Sequence, residues 1–175
     1  KDVQEKAKAE DIYAFIIDRL RAYLRDQAVS GKPFTTEEID AVLSQSPAQL
    51  NDLIDRLTAL REFNALAEAA QLAAANKRIS NILKKNASAI PETCSSTLLQ
   101  VPAEIALHQA LEKLTPTLTV AYEKRQFVEL LKALVALSAP IDQFFADVMV
   151  MDPNPELRDN RLALLQQLHQ KMNLI

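Results

Sequence analysis

Ala73-Ala74-Ala75-Asn76-Lys77-Arg78-Ile79-Ser80-Asn81-Ile82-Leu83-Lys84-Lys85 lies in an Ala-rich run, roughly Leu66 to Asn86, whose period is that of an α-helix. At 100° per residue, Leu72, Ala75, Ile79, Ile82 and Leu83 gather on one side. Lys77, Asn81, Lys84 and Lys85 gather opposite, with Arg78 at the border. Ala70, Ala73 and Ala74 extend the outer face toward the N-terminus. Between Ala69 and Pro91 there are four basic residues and no acid, so a chain of net charge −3 carries −7 outside this segment. A solvated helix face ordinarily alternates in sign, because oppositely charged i,i+4 pairs support the helix. This one does not.

Helical spacing extends outward in both directions. Ile12, Phe15, Ile16, Leu20, Tyr23 and Leu24 predict a helix from about Asp11 to Gln27, stopped by Ser30-Gly31-Lys32-Pro33. Thr35 and Glu38 have capping-box spacing for a short helix ending near Ser44. Ser46-Pro47 with Gln49 opens another, striped by Leu50, Leu53, Ile54, Leu57 and Leu60. Residues 87–101 have no period and read as a loop. Pro102 opens a helix to about Lys113, and Thr115-Pro116 opens the next, broken near Lys124 before Phe127, Leu130, Leu131, Leu134 and Leu137. Ser138-Ala139-Pro140 starts a helix with Ile141, Phe144, Phe145 and Val148 on one face. Asp152-Pro153-Asn154-Pro155 ends it and caps the last helix, whose stripe is Leu157, Leu164, Leu165, Leu168 and Met172. No strand pattern or repeat stands out. The expected fold is all-α, a bundle of six to eight helices, with residues 1–30 a helix leading into one bundle over 31–175.

Composition excludes several classes. The chain has 175 residues, 49% hydrophobic and 25% charged, as a folded domain does. Leu and Ala supply 26 residues each and Gly only one, which removes Gly-rich phosphate loops and dinucleotide fingerprints. The N-terminus carries no signal-peptide pattern, and no apolar run approaches the ~18 residues of a membrane span. Cys94 alone cannot form an internal disulfide, which fits a reducing, cytoplasmic compartment. Beginning at Lys1 and stopping at Ile175 in mid-pattern, the chain is expected to be a fragment of something larger.

Catalytic groupings are absent from the sequence pattern. His108 and His169 have no second ligand at metal spacing, and Ser95 and Ser96 beside Cys94 lack a partner pattern for nucleophilic attack. The basic helix leaves two readings open. A one-signed stripe beside smooth alanines suits a phosphate backbone or a closely approaching base, and Asn81 can donate and accept toward a base edge. Alternatively it is a solvated face near a helix C-terminus, where the macrodipole favours Lys. Arg161 sits in the last leucine stripe, so it either pairs with a buried carboxylate such as Asp142 or Asp147 or reaches RNA. Met149-Val150-Met151 reads first as core and second as an apolar wall for a flipped-out base.

The stretch Ala73–Lys85 resembles the signature helix in the C-terminal region of the β subunit of bacterial-type glycyl-tRNA synthetase. Phe144-Phe145-Ala146-Asp147-Val148-Met149-Val150-Met151, followed by Glu156-Leu157-Arg158-Asp159-Asn160-Arg161-Leu162-Ala163-Leu164-Leu165, is similar to that subunit's closing motif. Phe15–Leu24 fits its preceding segment, so the resemblance runs in order along nearly all the chain. It implies a DALR-type anticodon-binding domain, although Pro155-Glu156-Leu157-Arg158 keeps only the Leu and Arg of the four letters. It further implies a heterotetramer of α and β subunits that joins glycine to its tRNA. ATP and magnesium would act at the α-subunit active site, and this fragment would hold no cofactor and perform no catalysis. The implied partners are glycine tRNA and the α subunit, with no membrane and no DNA. The expected RNA-facing residues are Lys77, Arg78, Asn81, Lys84, Lys85, Met151, Arg158 and Arg161. A helical scaffold for an acidic protein, and the equivalent domain of an arginyl-tRNA synthetase, are the rival readings.

Overall fold

From Asp2 to Arg25 the sequence has neither Gly nor Pro, and it forms one 24-residue helix, α1 (Asp2–Arg25). The helix starts earlier than its apolar stripe because Gln4, Glu5, Lys6 and Ala7 are good helix formers without being apolar anchors. The computed structural model describes residues 2–29, 31–45, 50–86 and 89–175, with side chains from residue 11 onward. After α1, β1 (Ala28–Val29) pairs antiparallel with β2 (Lys32–Pro33). Strands of two residues have no alternation to read, so periodicity missed them. Gly31 sits in their connection at φ +74, where the chain's one glycine is used.

The expected capping box starts α2 (Thr36–Leu43). Glu38 N–H donates to Thr35 Oγ1 at 3.2 Å and Thr35 N–H donates to Glu38 Oε2 at 2.8 Å. The expected helix start at Ser46-Pro47 lies outside the described residues. A 3₁₀ turn (Leu50–Asp52) with Leu50 exposed leads into α3 (Leu53–Asn64), which buries Leu53 and Leu57 but leaves Ile54 exposed. Arg61 of α3 ties this region together. It donates to the Lys32 and Pro33 carbonyls at 2.8 Å each and to Glu38 at 2.7 Å, and lies 4.4 Å over the Phe34 ring. Leu24, Phe34, Ile39, Val42, Leu43, Leu53 and Leu57 form one core cluster.

The chain divides into two compact units, Lys1–Arg61 with Ile175, and Glu62–Leu174. The division therefore falls within α3 and not at residue 30. Phe34, Ile39, Val42, Leu43, Leu53 and Leu57 pack in one cluster with Leu24 of α1.

The second unit contains α4 (Ala69–Lys85), α5 (Pro102–Glu123), α6 (Phe127–Leu134), α7 (Ser138–Asp147) and α8 (Pro155–Met172). That makes eight α-helices among the described residues, with 3₁₀ turns at Ser96–Leu98 and Val135–Leu137. α5 packs against α6, α7 and α8, while α4 packs against α7 and α8. The expected break at Thr115-Pro116 does not occur, and α5 runs through Pro116. Its apolar positions stay in phase on both sides, with Leu107 and Leu111 before the proline and Leu118 and Ala121 after it, all buried. Their burial outweighs the ~3 kcal/mol that an interior proline costs. The break near Lys124 is present. Gln126 N–H donates to the Ala121 carbonyl at 2.8 Å and Arg125 N–H to that of Tyr122 at 3.0 Å, with Arg125 at φ 56 where glycine is usual.

Asn154 caps α8, its Oδ1 accepting from Glu156 N–H at 3.0 Å, with Pro155 as the first helical residue. Asn160 through Leu165 are buried without interruption, so α8 is enclosed on more faces than its leucine stripe. Asn160 is accommodated because its amide brackets the Ser95 backbone, accepting from N–H at 2.6 Å and donating to C=O at 3.0 Å.

Candidate nucleic-acid interface

Alanine and long straight side chains favour a helix intrinsically, and α4 joins them to a face that packs. Ala69, Leu72 and Ile79 are buried, and Ile82 and Leu83 are half-buried. The register is fixed further by a reciprocal amide pair, Asn76 with Asn173, at 2.9 and 3.1 Å. With the inner face so held, Ala70, Ala73, Ala74, Lys77, Arg78, Asn81, Lys84 and Lys85 are all exposed. Among the described residues, none of the four basic side chains is in an ion pair with Asp or Glu.

Two grooves divide these residues. Lys77, Arg78, Asn81 and Lys85 line one of about 420 Å³ with Ala74 and Ile82. Beside it, sharing Ala74 and Arg78, a groove of about 460 Å³ runs between α4 and α7, lined also by Gln71, Ala75, Asp142, Phe145 and Ala146. The Arg78 guanidinium lies 4.0 Å over the Phe145 ring. Gln71 Nε2 donates to Asp142 Oδ2 across the same groove. Lys84 belongs to a different concavity with Ser80, Leu83, Gln166 and His169. There, burial foremost and the Lys84 charge second make His169 less basic than usual.

The C-terminal candidates distribute differently. Arg161 is 4% exposed and faces inward. Its Nε donates to Glu104 at 2.8 Å, and its Nη1 donates to Asp152 at 2.7 Å and to the Met149 carbonyl at 3.0 Å. It is an ion-pair anchor with no face for RNA, and its partners are Glu104 and Asp152 instead of Asp142 or Asp147. Arg158 is half-buried beside Asp159 at 3.3 Å. Met149 and Met151 are 64% and 55% exposed while Val150 is buried, which overturns the core reading of all three.

Phe145, Gln71 and Asp142 complete the α4/α7 groove and were missing from the expected site. The spacing put Phe144 and Phe145 on one apolar face; Phe144 is fully buried, whereas Phe145, at the edge of that face, is half-buried and turned to the groove.

Among the described residues, no three of His, Cys, Asp and Glu are placed to hold a metal. Burial, with the Glu104 charge second, pushes the Cys94 thiol up to about 11, away from thiolate chemistry. No described helix is long and apolar enough to cross a membrane.

The chain is 47% identical over 170 residues to the glycine–tRNA ligase beta subunit of Dechloromonas aromatica, covering 97% of this chain and 23% of that one. It is 49% identical over 161 residues to the same-named subunit of Methylobacillus flagellatus, covering 92% and 22%. The Nitrosomonas eutropha subunit is 46% identical over 166 residues, covering 95% and 22%. The chain thus spans less than a quarter of the length of these curated relatives. Residues 71–175 match the DALR anticodon binding domain, a region that begins on the exposed face of α4 and takes in both grooves. Most of the chain lies inside that match, and the chain belongs to the DALR anticodon-binding domain family.

Proposed function

We propose that this domain binds the anticodon arm of glycine tRNA as part of a glycine–tRNA ligase β subunit. The observation that carries the reading is the exposed, unpaired basic face of α4 in a DALR domain. Lys77 and Lys85 are phosphate ligands, Arg78 borders both grooves, and Asn81 between them offers a donor and an acceptor to a base edge. The chain's acidity does not oppose this, because RNA meets the local field. The domain contributes position to the ligation of glycine. Binding energy spent far from the reacting atoms orients the tRNA acceptor end toward the active site of an α subunit, where ATP and magnesium act. The domain itself uses no cofactor and works in the cytoplasm, apart from membrane and DNA.

Filter binding of glycine tRNA at two salt concentrations tests this. Replacing Lys77 and Lys85 together by Ala is expected to weaken binding and to lower the salt slope by about two units, one per phosphate contact. Stability should change by less than ~0.5 kcal/mol per substitution, since both side chains are exposed. Lys84→Ala, on the other edge, is expected to alter the slope less. An unchanged slope in the double variant, or equal retention of bulk RNA and glycine tRNA, overturns the reading.

A further inference from the structure

The two grooves that meet at Arg78 differ in charge. The one lined by Lys77, Asn81 and Lys85 has no acid, whereas the α4/α7 groove places Asp142 opposite Arg78. A phosphate entering the second groove would meet the carboxylate and be repelled. A neutral planar group would not. The Arg78 guanidinium is already turned over Phe145, and among the described residues it donates no hydrogen bond to a neighbour. Its outer side therefore offers a flat cationic surface of the kind on which bases stack. The floor is alanine, Ala74 and Ala146, which lets a ring approach the helix backbones closely. A volume of about 460 Å³ falls in the ~300–1,000 Å³ range of clefts that hold a small ligand, enough for one base with its ribose.

The rim sets which base. Gln71 spends one Nε2 hydrogen on Asp142 Oδ2, so its second hydrogen and Asp142 Oδ1 remain for a ligand. A carboxylate accepts only, so the rim presents an acceptor and a donor. We infer that the α4/α7 groove captures one unpaired anticodon-loop base carrying an exocyclic amine beside a ring-nitrogen acceptor, stacked on Arg78 and read by Asp142 and Gln71. Cytosine and adenine have that pair on the Watson–Crick edge, guanine has it only at N2 and N3 beside the ribose, and uracil has no exocyclic amine. The inference rests on the anticodon-arm reading above and adds the base class and the residues that select it.

The test uses the anticodon stem-loop of glycine tRNA, with each unpaired loop position set in turn to cytosine, adenine, uracil and guanine. At one position the chain is expected to prefer cytosine or adenine to uracil on the order of tenfold, and the preferred base identifies the source. Asp142→Ala should erase that preference while leaving the salt slope intact. Gln71→Ala should do the same from the opposite helix, so a folding defect in one variant still leaves a result. Preference that survives both substitutions overturns the inference. Salt-dependent binding without base preference at any position removes the groove alone and leaves the anticodon-arm reading standing. No retention of any stem-loop removes both.

Discussion

Arg161 binds three acceptors from α8, and its cost and value follow from where they come from. Glu104 is fully buried and takes Gln100 and Val101 N–H through its other oxygen, at 2.6 and 2.8 Å. Burial alone would raise the Glu104 pKa, but the Arg161 hydrogen bond and the two backbone donors prevail, and it stays below its usual 4.5. A carboxyl with a depressed folded pKa stabilises fully above the unfolded pKa, and that stability fades as pH falls through the folded one. Arg161→Ala strands the buried carboxylate and is expected to cost about 3–5 kcal/mol at pH 7. The gap to the unaltered chain should narrow as pH falls below the ordinary carboxylate range, because protonated Glu104 no longer needs its cation. Urea unfolding at pH 7 and pH 3.5 checks both statements. A gap that is independent of pH contradicts the assignment. The sequence announced a charge in an apolar stripe, but the partner 57 positions away is a tertiary fact that no local pattern encodes.

The elements show which local rules carried through. Thr35 with Glu38 and Asn154 with Pro155 started helices where their spacing placed them, since a cap is satisfied within four residues. The inner stripe of α4 and its basic outer face followed from the period alone. Pro116 went the other way, because a propensity cost is small beside the burial of a long in-phase stripe. The proline still leaves the Glu112 carbonyl without its helical donor. Pro116 is exposed and has no packing role of its own. Pro116→Ala is therefore expected to stabilise the domain by about 1–3 kcal/mol, read as a higher urea midpoint with an unchanged slope. A lower midpoint would mean that the proline shapes α5 in a way its neighbours require. Phe145, Asp142 and Gln71 escaped notice because a groove between two helices exists only once both are placed.

At the scale of the whole chain, the family region and the second compact unit nearly coincide, residues 71–175 and Glu62–Leu174. That unit holds its own buried set, with Leu107, Leu118, Leu130, Ile141, Phe144 and Leu164 among its most enclosed side chains. A fragment of residues 65–175 is expected to keep a helical circular dichroism spectrum and one cooperative melt, and to retain the stem-loop. Removing residues 152–175 from it should abolish the melt, because α8 is enclosed by the helices around it. A sloping, non-cooperative melt in the longer fragment would show that residues 1–64 are required for folding.

Asn160 adds a property of a different kind. By accepting from and donating to the Ser95 peptide, its side chain does what a neighbouring strand would do for that loop. Ser95 lies in no helix, yet its amide proton is shielded by a residue in the middle of α8. In deuterated solvent that proton is released only when α8 lifts or the loop pulls away from it. The slow exchange of this one loop amide thus serves as a built-in gauge of the docking of the last helix, readable without substitutions.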